Sequence, residues 1–200
     1  WCPVTAVMAT AIRARDWDAC RVDEPTEGGL VTYAVKFSPD GAVGTLAACH
    51  KAEGHVPFVY VVDSRSLAGG IGWFVDNLAA RHQRAAQIVI DGQGNAQTLN
   101  ERLLDAHVPS RALMRPRTGD VIAANAAFGN AVRERSVAHY GQEALDISAT
   151  RSRKRRIGAN GGWGFQSTDE ADATLVEACA LAYWAAVNTR RDPNRKAVVF

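Results

Sequence analysis

The stretch Gln87-Ile-Val-Ile90 limits the possible folds of this chain more than any other feature. It is a short apolar run without polar alternation, and it stops at the turn-forming Asp91-Gly-Gln-Gly94. A strand buried on both faces has this pattern, and such strands lie inside sheets covered by helices on both sides. The flanks agree. Gly70 to Arg84 carries Ile71, Phe74, Val75, Leu78 and Ala79 at helical spacing, and Ala96 to Ala106 carries Leu99, Leu103 and Leu104. The class is therefore α/β.

Upstream, Val31 to Phe37 has strand composition and ends in Ser38-Pro-Asp-Gly41, where proline and glycine suit a tight reversal. Ala42 to His50 can pair back, and Val56 to Asp63 is a third run of β-branched and aromatic residues. Downstream come a strand at Ala112 to Arg115 and a long helix opened by Gly119-Asp120, running to about His139. The order is β-β-β-α-β-α-β-α, then a basic segment and a last helix. Three antiparallel strands followed by parallel crossover strands, flanked by helices, is the ribonuclease H-like mixed sheet. The last helix is introduced by Ser167-Thr-Asp-Glu170, a capping-box match, and continues as an apolar stripe of Ala171, Leu175, Val176, Cys179, Ala182, Tyr183 and Ala186. Asp172 is expected at the edge of that stripe, where a carboxylate is costly unless it is paired or holds a metal.

The chain has 200 residues with 47% hydrophobic content, enough for one core. Residues 1–30 read as a lead-in or linker, 31–190 as the domain and 191–200 as a tail. A net charge of +2 excludes a uniformly basic nucleic-acid coat. It does not exclude a local patch, and Arg151, Arg153, Lys154, Arg155 and Arg156 form one. A glycine-loosened loop with aromatics, Gly158-Ala-Asn-Gly-Gly-Trp-Gly-Phe165, follows it and suits contact with a phosphate backbone. Cys2, Cys20, Cys49 and Cys179 show no C-x-x-C spacing and read as buried thiols of a reducing cytosol. The five histidines have no metal-binding spacing, and there is no Walker A loop. Nothing approaches the ~18 apolar residues of a membrane span. A first residue of Trp1 in place of methionine suggests a piece of something longer.

Asp91 stands where a strand gives way to a turn, at the carboxyl end where α/β sheets place ligands. If the last helix crosses the sheet there, Asp172 approaches it, and the two carboxylates would need a hard cation such as Mg²⁺ or Mn²⁺ between them. Two such ions ~4 Å apart would clamp the attacking water and leaving oxygen of a phosphodiester. Each acid also has a plain structural use: Asp91 as a turn former, Asp172 as a favourable charge at a helix start.

Four runs together, Tyr33-Ala-Val-Lys-Phe-Ser-Pro-Asp-Gly41, Ile88-Val-Ile-Asp-Gly-Gln-Gly94, Ala138-His-Tyr-Gly141 and Trp163-Gly-Phe-Gln-Ser-Thr-Asp-Glu-Ala-Asp172 leading into Leu175-Val-Glu-Ala-Cys-Ala-Leu-Ala-Tyr-Trp184, resemble the C-terminal nuclease domain of tailed-phage terminase large subunits. The versions carried by phages and prophages of actinobacteria are the most similar. The resemblance covers roughly residues 30–190. It implies a metal-dependent endonuclease that cuts concatemeric double-stranded viral DNA during packaging, with one or two Mg²⁺ or Mn²⁺ ions. It also implies a missing N-terminal ATPase domain, the small subunit and portal protein as partners, and action in the host cytoplasm outside the mature virion. Asp91 and Asp172 would be catalytic metal ligands. The family's first acid falls at Lys36, so Asp40, in the following turn, becomes the replacement third ligand. Lys36 joins the basic segment as a DNA contact. Two alternatives follow: a DNA- or partner-binding module with weak or lost cleavage, or a resolvase-like nuclease.

Overall fold

The computed structural model describes residues 10–25, 28–158 and 161–193. Residues 1–9 with Cys2, Thr26 and Glu27 of the lead-in, Ala159 and Asn160 of the glycine-rich loop, and 194–200 of the tail lie outside the described residues.

Strand β1 (Leu30–Phe37) runs between β2 (Val43–Lys51), to which it is antiparallel, and β4 (Ala85–Asp91), to which it is parallel. With β3 (Phe58–Ser66) outside β2 and the two-residue β5 (Leu113–Met114) outside β4, the sheet order is β3-β2-β1-β4-β5. This is the ribonuclease H-like mixed sheet. Alternation sorts its two faces. Tyr33, Val35, Phe37, Leu46, Ile88 and Ile90 join one core with α2 (Gly72–Arg81) and α3 (Asn95–Asp105). Ala34, Ala47, Cys49, Val59 and Val89 join the other. Small side chains on that second face let α6 (Thr174–Asn188) lie close to it.

Helix α6 is the centre of the second core. The stripe expected from the sequence proves to be a helix buried nearly all round, because α4 (Thr118–Glu134) covers its outer side. Phe128 of α4 meets Tyr183 edge-on at 5.8 Å between ring centres. A helix apolar on every side must be roofed in this way. The long helix expected to reach His139 ends at Glu134, since Arg135 takes the left-handed conformation that closes a helix. A separate α5 (Glu143–Arg151) follows. The basic segment forms a hairpin where a loop was expected: β6 (Arg153–Ile157) pairs antiparallel with β7 (Gly162–Gln166). The capping-box expectation is also corrected. Ser167 Oγ accepts from Ala173 N–H at 2.9 Å in an irregular turn, and the helix starts only at Thr174.

The described part of the lead-in is built into the fold. Trp17 of the short α1 (Ala14–Asp18) is fully buried, stacks on His139 at 3.9 Å, and donates from its indole to Asp146 at 2.7 Å. Cys20, Cys49 and Cys179 are free and buried, as expected of structural thiols. No helix among the described residues is long and apolar enough to cross a membrane.

His139 is a pH-sensitive point in this packing. Its Nδ1 accepts from Gly141 N–H, so Nε2 carries the proton and donates to Trp17 O at 3.0 Å. Burial holds its pKa below the ordinary 6.5, against the opposing pull of the Trp17 carbonyl and Asp146. The unfolded chain therefore takes up this proton first as pH falls. The stability His139 confers is present above about pH 6.5 and is lost progressively below it. Urea denaturation at pH 7.5 and 5.5 should show a loss in the wild type that His139→Gln reduces. An unchanged difference would contradict this assignment.

Candidate functional site

The register of the parallel pair decides what faces what at the centre of the sheet. Lys36 on β1 lies directly beside Asp91, the last residue of β4. Lys36 is on the α6 face, two residues along from Ala34 and four from Thr32, whose hydroxyl donates to Ala182 O at 2.7 Å. Just past Asp91 the chain turns tightly across Phe37. Gly92 has φ +129°, and a Cβ there would lie 2.7 Å from Phe37 Cβ, so only glycine lets the turn close at this point.

Across from the two strands, the first turn of α6 presents Glu177, which is 5% exposed. Lys36 Nζ donates to Asp91 Oδ2 at 2.5 Å and lies 3.2 Å from Glu177 Oε2. The other oxygen of Glu177 accepts from Arg155 Nη2 at 3.3 Å, while Arg155 Nε donates to Phe165 O at 2.9 Å. The hairpin is thereby tied to the helix. Burial alone would lower the Lys36 pKa, but the charges of Glu177 and Asp91 outweigh it and hold it above the usual lysine range. The ammonium is charged at any physiological pH. Burial pushes the Glu177 carboxyl up, with Lys36 and Arg155 opposing.

A second polar chain runs alongside. Ser64, Thr45 and Thr174 share hydroxyl contacts at 2.8 and 3.0 Å. Both oxygens of Asp172 then turn to Thr174, accepting its N–H at 2.9 Å and its hydroxyl at 2.8 Å. Asp172 is therefore a local cap placed before the helix, not a carboxylate along its buried stripe. Asp91 and Asp172 belong to separate networks, and the acid that α6 brings to Asp91 is Glu177. Sequence reasoning missed Glu177, although a signal was present. It is the one charge inside the apolar run Leu175-Val-Glu-Ala-Cys-Ala-Leu, and a charge buried there needs a partner.

The other candidates divide. Asp40 borders the same cleft, of about 810 Å³, as Ser38, Arg155, Asp172, Thr174 and Glu177. Its Oδ1 accepts from Ser38 Oγ at 2.6 Å and Ala42 N at 3.0 Å, so it is a turn former and does not join Asp91. Lys36, expected to touch DNA, is 7% exposed and held between two carboxylates. Arg155 likewise turns inward. Arg151 pairs with Glu170 at 2.7 Å on the surface. Arg153, Lys154 and Arg156 stay exposed on β6, with Lys154 over the Trp163 ring at 4.4 Å.

The comparisons begin from this geometry. No family model and no curated protein matches the chain. Solved structures do. The HK97 bacteriophage large terminase superposes with a TM-score of 0.69 at 12% identity, over 89% of this chain and 44% of that one. The large terminase nuclease of thermophilic phage G20c with bound magnesium gives 0.61 at 12% identity, over 88% and 97%. The nuclease domain of the Thermus phage P74-26 large terminase gives 0.56 at 12%, over 87% and 94%. The fold is that of phage large-terminase nuclease domains. This chain spans less than half of the HK97 protein and nearly all of the G20c nuclease.

Structures of the G20c nuclease also carry bound cobalt and zinc. Among the described residues, no group of three or more His, Cys, Asp or Glu is arranged to hold a metal ion. The space next to Asp91 is taken by the Lys36 ammonium. The expected Mg²⁺ or Mn²⁺ does not fit these residues as they stand.

Removing one partner of a buried pair leaves the other charge uncompensated, at a cost of about 3–5 kcal/mol, whereas losing a cap costs about 1 kcal/mol. Lys36→Ala and Glu177→Ala should therefore destabilise the protein well beyond Asp172→Ala in urea denaturation. Equal losses at Glu177 and Asp172 would contradict the division into two networks.

Proposed function

We propose that this chain is the nuclease-fold module of a phage DNA-packaging large terminase, one that engages double-stranded DNA and whose cleavage is weak or lost. One observation carries the second half of this reading: Lys36 stands at the strand position where the fold was expected to supply its first acid, and its ammonium is bound to Asp91 and Glu177. A cation bound there by electrostatics would have to displace one already in place. The first half is supported by the fold and by the exposed cations of the hairpin, set beside a stacking-capable tryptophan. In this reading the module works in the host cytoplasm with the small subunit, the portal protein and an ATPase domain, and it is absent from the mature virion.

A second reading, a Mg²⁺- or Mn²⁺-dependent endonuclease, is favoured by the placement of Asp91 and Glu177, acids on the central strand end and the last helix of a fold whose G20c representative binds magnesium.

Two measurements test the proposal. Duplex DNA should be retarded by the protein, with affinity falling steeply as salt rises, and neutralising Arg153, Lys154 and Arg156 together should reduce the log–log salt slope by roughly 2–3. Plasmid incubated with Mn²⁺ or Mg²⁺ should be cut no faster by the wild type than by Asp91→Ala. Absence of binding would overturn the DNA role. Metal-dependent cutting abolished by Asp91→Ala would establish the second reading.

A further inference from the structure

We infer that the pocket at the start of β4, between Arg111 and Arg191, is an oxyanion site that takes a phosphate group. It lies at the opposite end of the strand from Asp91. Strand β4 is seven residues long, so the two ends are roughly 20 Å apart. The site is separate from the Lys36 cluster, and the inference does not rest on the function proposed above.

Two segments far apart in the chain are pinned to β4 so that each brings an arginine to this pocket. Gln87 does the pinning. Its Nε2 donates to Ala112 O at 3.0 Å, and its Oε1 accepts from Thr189 Oγ1 at 3.5 Å. Arg111 immediately precedes the first contact. Arg191 follows the second by two residues, and its backbone N–H donates to Thr189 Oγ1 at 3.2 Å. Arg191 is half-buried, and its Nη1 donates to the carbonyls of Ala85 and Ala86 at the start of β4. That anchor leaves Nε and Nη2 for a further acceptor. Pro109 and Pro193 supply stiff walls, and the pocket has a volume of about 640 Å³. This is the size of a small-ligand site.

The charges in the pocket are unbalanced. Burial and the Arg111 guanidinium both hold the Arg191 pKa below the ordinary arginine value. Asp192 is the only acid among the described lining residues; it is exposed, and Arg111 is the charge that acts on Arg191. Neither arginine forms an ion pair with an acid of the described residues, whereas Arg155, also half-buried, has Glu177 at 3.3 Å. An oxyanion between the two guanidiniums would replace their repulsion with charge-assisted hydrogen bonds. A phosphate group suits the pocket better than a carboxylate does. The planar carboxylate offers two oxygens to one fork, while a phosphate ester has three free oxygens and a charge near −2, enough for both arginines. His82 also lines the pocket, and its Nδ1 donates to Ala79 O at 2.6 Å. That leaves Nε2 able to accept from a protonated phosphate oxygen.

The test is calorimetric titration of the protein with pyrophosphate at fixed ionic strength. The wild type should bind it, and Arg111→Gln should bind about tenfold more weakly or worse. Arg111 is exposed and far from the cores, so this variant should stay folded by circular dichroism. Arg111→Lys should fall between the two, because it keeps the charge and loses the fork. Neutralising Arg153, Lys154 and Arg156 on the hairpin should leave pyrophosphate binding unchanged. No binding by the wild type, or equal binding by a folded Arg111→Gln, would overturn the inference. So would tighter, Arg111-dependent binding of poly-glutamate, which would make the pocket a dock for an acidic protein segment. Duplex DNA then separates the two sources of a phosphate group, and either result supports the site. Retardation weakened by Arg111→Gln and by added pyrophosphate assigns the group to a DNA backbone; retardation unaffected by both assigns it to a small molecule.

Discussion

A lysine ammonium and a glutamate carboxylate, both taken almost wholly out of water, impose the strongest condition on this structure. Neither tolerates burial alone, because desolvating an unpaired charge costs several kcal/mol. Their pairing fixes the first turn of α6 over the ends of β1 and β4, with Asp91 completing the group from the strand side. Arg155 extends the same condition to the hairpin, since its guanidinium bridges Glu177 and the Phe165 carbonyl. Apolar contact on every side of α6 sets its depth but says little about its position along its own axis. The charged group specifies that position together with the hydroxyl contacts of Thr32 with Ala182 O and of Thr45 with Thr174.

The same group determines what chemistry the fold can support. The sheet order is that of phage large-terminase nuclease domains, and metal-assisted cleavage of a phosphodiester needs carboxylates free to gather cations. Here the carboxylates are already satisfied by protein cations. The fold alone would suggest a cutting enzyme, but function has to be argued from the site. That site is electrostatically complete, while the exposed cations lie elsewhere, on the hairpin.

The sequence made the sheet legible because its signals were local. An apolar run ending in Asp91-Gly, a Pro-Asp-Gly turn and two amphipathic helices suffice to order five strands. Asp91 was placed correctly at the end of β4, and the pairing of β1 with β4 sets Lys36 beside it. Other features depend on tertiary contact. Asp172 satisfies both oxygens within its own turn and Asp40 turns its Oδ1 to its own turn, and neither choice is visible in residue type or spacing. The hairpin replaced a loop because Arg155 and Phe165 find partners inside the molecule, which a run of basic residues does not announce. Glu177 was the recoverable miss: a single charge in an apolar helix points to a buried partner. The α6 stripe was underestimated for a related reason, since the roof provided by α4 lies some fifty residues away in the chain.

The central claim is that a lysine, and no metal, sits between Asp91 and Glu177. Crystals grown with Mn²⁺ and measured at the manganese edge test it most directly. The account requires that the anomalous map show no peak within coordinating distance of Asp91, with Lys36 Nζ in density between the two carboxylates. A manganese peak shared by Asp91 and Glu177, with Lys36 swung away, would contradict it.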